Sequence, residues 1–121
     1  MTKEDWRWIE KLIECCREMK NTLCRFGDNP LIFKRDKDYQ RSMIMLFIEI
    51  GEIWRYCLSD CAKNVFCGIG WKRFVWLRNR CVHFEYFELN IYEIWFYAHI
   101  DIPNLLEILE KEKGNMLLAK S

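Results

Sequence analysis

Apolar residues recur along the first part of the chain at alternating spacings of three and four: Ile9, Leu12, Cys16, Met19, Leu23 and Phe26. That rhythm lays a stripe on one face of an α-helix. Thr2 followed by Asp5 resembles a capping box, with Asp in place of the usual Glu, and predicts a helix from about residue 3 to 25. Gly27-Asp28-Asn29-Pro30 is a turn signal. Beyond it, Asp36 or Asp38 can cap a second helix carrying Met43, Phe47, Ile50, Trp54 and Cys57. Gly51 lies inside that helix, where glycine costs about 1 kcal/mol relative to alanine. Either a neighbouring helix backbone approaches closely there, or the position simply tolerates it.

Gly68-Ile69-Gly70 breaks the chain again, and Trp71, Phe74, Val75, Cys81 and Val82 mark the buried face of a third helix whose polar face is basic. Residues 90–98 read as a short helix. Asp101-Ile102-Pro103 then reads as the start of a last one over 103–112, with Asp as cap and proline near the first turn. Gly114 and residues 115–121 have the character of a frayed end. No internal repeat, linker or low-complexity segment interrupts the series. The predicted fold is all-α, an antiparallel bundle of four to five helices, in one domain over residues 1–121 with an ordered core of about 3–112.

Composition agrees with this and narrows the function. The chain has 121 residues, 51% apolar and 16% aromatic, enough for a real core in one globular domain. Lys and Arg number 19 against 18 Asp and Glu, a net charge of +1, which excludes a broad basic surface; any nucleic-acid site must be local. The N-terminus is charged from Lys3 and has no signal-peptide run. The longest uncharged stretches, 42–48 and 64–71, fall far short of the ~18 apolar residues that span a bilayer. A cytoplasmic protein with no membrane partner is expected. The seven cysteines form an odd set without C-x-x-C spacing, and several sit at apolar helical positions as small core hydrophobes do, which argues against a disulfide framework. Cys57, Cys61 and Cys67 match no common zinc spacing, so neither metal nor cofactor is expected.

Candidate chemistry begins at Arg78, which interrupts the apolar stripe of the third helix. Stripping the hydration from an arginine costs several kcal/mol, so Arg78 must meet a carboxylate, a ligand phosphate or a wet cleft. The structural partner would be Glu49 or Glu52. His83 and Tyr86 follow; on a continuous helix Asn79, His83 and Tyr86 share a face, while Arg78 is offset from His83 by about 140°. A helix end near His83 would bring the two together.

The run Trp71-Lys72-Arg73-Phe74-Val75-Trp76-Leu77-Arg78-Asn79-Arg80-Cys81-Val82-His83, followed by Tyr86-Phe87, resembles the signature of HepT-like toxins of the HEPN superfamily. Ile50-Gly51-Glu52, Ile94-Trp95 and Asp101-Ile102-Pro103-Asn104-Leu105 resemble further family elements in the same order, so the likeness spans roughly residues 5–112. The family motif is Arg, four residues, His, one residue, Tyr. Here Glu85 stands at the tyrosine position and Tyr86 one place later, and Asn90, Trp95 and Asp101 share the shift, as a one-residue insertion after His83 would produce.

The resemblance implies a HEPN-like helical fold and a metal-independent endoribonuclease, the toxin of a toxin–antitoxin pair. It implies a composite site in a homodimer cleft and a nucleotidyltransferase antitoxin as partner. Arg78 and His83 are then the catalytic residues, with Asn79 in support, orienting the phosphate or His83 unless it serves only as a cap or surface residue. Tyr86 is the candidate acceptor of an AMP group, or else an exposed packing aromatic. Lys72, Arg73 and Arg80 are candidate RNA contacts, or an ordinary solvated face. Two rivals remain on the sequence: a catalytically silent bundle of the same superfamily acting as partner subunit of a nucleotidyltransferase, and a helical adaptor using exposed aromatics such as Trp6, Trp8 or Trp76.

Overall fold

A computed structural model describes residues 1–83 and 90–120. Helix α1 spans Lys3–Phe26 and is closed by the expected box: Thr2 Oγ1 accepts from the Asp5 N–H at 3.0 Å and the Asp5 carboxylate from the Thr2 N–H at 3.1 Å. Its stripe buries Ile9, Leu12, Cys16 and Met19, with Ile13 and Cys15 beside them, while Leu23 and Phe26 are half-buried. The box has a second use. Asp5 also accepts from Ser59 N at 2.9 Å and Ser59 Oγ at 2.7 Å, which ties the start of α1 to a distant segment.

The turn signal at residues 27–30 opens a short helix that the periodicity does not reveal, α2, Pro30–Arg35. Asn29 caps it by accepting from Leu31 N–H at 2.8 Å, with Pro30 in the first turn, where its missing N–H costs nothing. Six residues are too few to display a stripe. Gly27 turns the chain at φ 106°, a left-handed conformation that glycine adopts without strain. Phe33 of α2 packs edge-on to Tyr39, and Tyr39 stacks on Phe26, closing an aromatic corner.

Helix α3 runs Lys37–Glu52, and of the two candidate caps it is Asp36 that accepts from Tyr39 N–H, at 3.1 Å. Met43, Phe47 and Ile50 are buried as expected. The helix does not carry on regularly to Cys57: residues Ile53–Cys57 form a π-helical turn, and α4, Asp60–Val65, follows with Ser59 as its cap. Helix α5, Trp71–Val82, starts after the Gly68–Gly70 break. It buries Trp71, Phe74, Leu77 and Cys81, so Leu77 belongs to the core, while Val75 and Val82 are only half-buried.

The largest departure from expectation is at the C-terminal end. One helix, α6, spans Ile91–Lys120, replacing the predicted pair 90–98 and 103–112 and carrying Gly114 within it. Pro103 lies inside α6, where it cannot donate to the His99 carbonyl. The helix persists because Ile94, Ala98, Ile102, Leu105 and Leu109 form one unbroken buried stripe across the proline. Ion pairs fasten α6 along its length, Arg73–Asp101 at 2.7 Å to α5, and Arg17–Glu110 at 2.8 Å and Lys113–Glu10 at 2.6 Å to α1. His99 Nε2 also lies 2.7 Å from Asp28 Oδ1 in the turn after α1.

The four long helices α1, α3, α5 and α6 therefore form the bundle, with α3 packed on α1 and α5, and α6 on α1. Among the described residues there is no strand, and no helix is long and apolar enough to cross a membrane. Cys15, Cys16 and Cys81 lie in the core, where burial pushes the Cys16 thiol up to about 12 and the Cys81 thiol up to about 11.

Candidate active site at the end of the fifth helix

Gly51 sets the site. A Cβ at this position would lie 2.6 Å from Arg78 Cβ and 2.9 Å from the Phe74 carbonyl oxygen, so the backbones of α3 and α5 meet here and only glycine fits. Of the two readings of a mid-helix glycine, close approach is the right one. It brings the next residue, Glu52, within reach of the arginine that interrupts the α5 stripe. Glu52 Oε1 accepts from Arg78 Nε at 2.8 Å and Nη2 at 2.5 Å. Glu49, the other partner considered, instead accepts from Cys15 Sγ at 3.3 Å.

Asn79 gathers the rest. Its Oδ1 accepts from Arg78 Nη1 at 2.9 Å and from Arg55 Nη1 at 3.4 Å. The two guanidinium carbons each stand 5.4 Å from the centre of the Tyr56 ring. Two arginines, one glutamate and an asparagine thus cluster with a net charge of +1, and the Arg78 side chain retains 15% of its exposure, sheltered but open to solvent. Among these bonds three of the five Arg78 N–H groups are engaged, leaving one hydrogen on each Nη.

His83 ends α5. Its backbone sits at φ −95°, ψ 23°, out of helical geometry, and its N–H donates to the Asn79 carbonyl at 3.2 Å. The residue is exposed. The Asn79 side chain thus engages Arg78, while the bond from the His83 N–H is the ordinary i→i−4 backbone bond of the last helical turn. Helix α5 ends at His83, and among the described residues no hydrogen bond joins the His83 ring to Arg78.

The three other cations do not gather at this point. Arg73 is committed to Asp101, with Nη1 2.7 Å from both carboxylate oxygens, and lies 4.9 Å from the Tyr97 ring centre; it is a strut from α5 to α6. Arg80 is half-buried, with its guanidinium 5.1 Å from the Trp76 ring centre. Lys72 is exposed and lines a groove with Trp54, Trp76 and Asn79. Tyr86 lies outside the described residues. No cluster of three or more His, Cys, Asp or Glu with metal-binding geometry occurs among the described residues.

Sequence reasoning missed Arg55 and Tyr56. They sit on the π-helical turn, whose wider winding shifts side chains off the 3.6-residue register by which a helix face is read. The signal present was an Arg-Tyr pair interrupting an apolar helix directly after Trp54.

The model of the family described as Ribonuclease HepT-like matches residues 12–112, most of the chain and all of this site up to and beyond His83. The chain belongs to that family. Nothing among curated proteins or solved structures matches it. The assignment places this HepT-like chain in the HEPN superfamily and agrees with the helical bundle, α5 and its flanking helices lying within the matched region.

Proposed function

We propose that this HepT-like chain is a metal-independent endoribonuclease, the toxin of a toxin–antitoxin pair, working in the cytoplasm as a homodimer. Arg78 and His83 are its catalytic residues, Asn79 its positioning residue. The observation that supports the reading is a sheltered arginine, hydrogen-bonded to Glu52 and Asn79, followed on the same helix by an exposed, helix-terminating histidine.

The chemistry suits these groups. Attack of a ribose 2′-oxygen on the adjacent phosphorus forms the O2′–P bond and breaks the P–O5′ bond, leaving a 2′,3′-cyclic phosphate and a 5′-hydroxyl. One group must take the 2′-proton and another must protonate the leaving oxygen, work suited to imidazoles. The free Nη hydrogens of Arg78 can hold the non-bridging oxygens as charge builds on the phosphorane. Each chain supplies one such imidazole, so a twofold pair supplies both base and acid. Transfer of AMP to Tyr86 by a nucleotidyltransferase antitoxin, as the family resemblance implies, would add bulk and negative charge and block RNA.

Cleavage of RNA by the purified protein in excess EDTA, lost in both His83→Ala and Arg78→Ala, is the expected result. Cleavage that survives both substitutions, or none in any form, ends the reading. The Arg78–Glu52 pair also suits a second reading, a catalytically silent bundle in which Arg78 is a strut and the chain serves a nucleotidyltransferase as partner subunit. Under that reading Arg78→Ala lowers stability and no RNA is cut.

A further inference from the structure

Next to Arg78 the surface carries more aromatic and cationic character than phosphodiester cleavage requires. Tyr56 is 61% exposed and Trp76 41%. Trp76 lines a groove of about 680 Å³ whose walls also include Trp54, Lys72 and Asn79. Among the described residues its lining has a lysine and no carboxylate. One of its lining residues, Asn79, has its oxygen shared by Arg55 and Arg78.

The rings differ in what they can offer. Trp54 is stacked on Trp71 at 3.9 Å and has Lys63 Nζ at 5.9 Å, so it serves as wall. Tyr56 is different. Two guanidiniums that share one acceptor oxygen stand 5.4 Å from its ring centre, yet Tyr56 remains 61% exposed, so much of the ring is open to solvent. Trp76 likewise has a guanidinium, that of Arg80, which can cover only one side of an indole. Stacking faces alternating with cations match a polyanion whose bases are unpaired, because in a duplex the π-faces are already stacked.

We infer that the surface from Trp76 across Asn79 to Tyr56 is a binding site for single-stranded RNA, in which Tyr56 and Trp76 stack unpaired bases and Lys72 and Arg55 hold the intervening phosphates. The identity of the polyanion as RNA rests on the ribonuclease reading. The site itself rests on the aromatic and cationic geometry, and it gives the enzyme its preference for unpaired over paired RNA.

The test uses the full chain carrying His83→Ala, so that bound RNA stays intact, and the fluorescence anisotropy of a labelled twelve-nucleotide RNA without self-complementarity. Tyr56→Ala and Trp76→Ala each weaken binding roughly five- to a hundredfold, the range seen when a base-stacking ring is removed. Tyr56→Phe and Trp76→Phe, which keep a π-face, restore it. Arg55→Gln flattens the dependence of log Kd on log salt by about 0.7. The same sequence as a duplex binds more weakly. Should the alanine variants lose their helical circular dichroism, Tyr56→Leu and Trp76→Leu, which keep bulk without a π-face, take their place.

Ring-deleted variants that bind the single strand as tightly as the parent, equal affinity for duplex, no RNA binding at all, or displacement of RNA by an acidic peptide at equal concentration would each overturn the inference. The two readings fail separately. Ring-dependent binding by a chain with His83 intact that never cuts RNA ends the ribonuclease reading and keeps this site. Cutting that is indifferent to both rings does the reverse.

Discussion

Gly51 and Arg78 stand so close that a methyl group on the glycine would lie 2.6 Å from the arginine's Cβ. Alanine is the better helix former by about 1 kcal/mol, yet relieving this overlap requires α3 and α5 to separate, and overpacking of that kind costs about 1–3 kcal/mol. Gly51→Ala is therefore expected to lower the urea midpoint, while Gly114→Ala, in α6 with nothing within 4 Å of an added Cβ, raises it by the equivalent of about 0.5–1 kcal/mol. Equal signs for the two variants would show that the contact at Gly51 is not tight.

The Glu52–Arg78 pair predicts an asymmetric response. Glu52→Ala leaves a guanidinium at 15% exposure without its anion and should cost about 1–3 kcal/mol by denaturant unfolding. Glu52→Gln keeps an acceptor for Nε and Nη2 and should recover part of that loss. Arg78→Lys should recover little, since one ammonium cannot span both Glu52 and Asn79.

Asp5 predicts acid sensitivity. Burial alone would raise its carboxyl, but hydrogen bonds from Ser59 and Thr2 prevail and hold it down at about 2, against an ordinary value of 3.8. Because the folded value is the lower one, the stabilisation is present in full above about pH 4 and drains away as the pH falls towards 2. It amounts to roughly 2–2.5 kcal/mol at neutral pH. In paired melts against Asp5→Asn, the difference in unfolding free energy should shrink across that window. A constant difference would mean the carboxylate is not selectively stabilised by folding.

Pro103 is exposed within α6 and deprives the His99 carbonyl of its helical donor. Pro103→Ala supplies that N–H with little packing to lose, and the gain exceeds the roughly 0.4–1 kcal/mol by which proline restrains the unfolded chain. Thermal unfolding should move upward by the equivalent of about 1–2 kcal/mol. A fall would mean that the proline itself is needed to seat the stripe from Ile94 to Leu109.

Where the chain announced its structure, it did so through local chemistry. The Thr2–Asp5 box, the Asp36 cap, the α1 stripe and the break before Trp71 all depend on residues within one or two turns of each other. Where it misled, a long-range term prevailed. Pro103 reads as a helix start on local grounds, but the burial of Ile94, Ala98, Ile102, Leu105 and Leu109 against the bundle carries α6 through it. Helices α2 and α4, six residues each, are too short for periodicity to register.

The candidate site divides the same way. By itself the sequence determined that an arginine would occupy the apolar face of the third long helix, that a histidine would follow five residues later, and that the chain resembles a ribonuclease family, because residue type and spacing along one element are local properties. Only the tertiary structure decided that Glu52 rather than Glu49 meets Arg78 and that Arg55 and Tyr56 stand beside it. Those outcomes depend on how closely α3 approaches α5 at Gly51 and on the winding of one π-helical turn, and neither is set by spacing along a single helix.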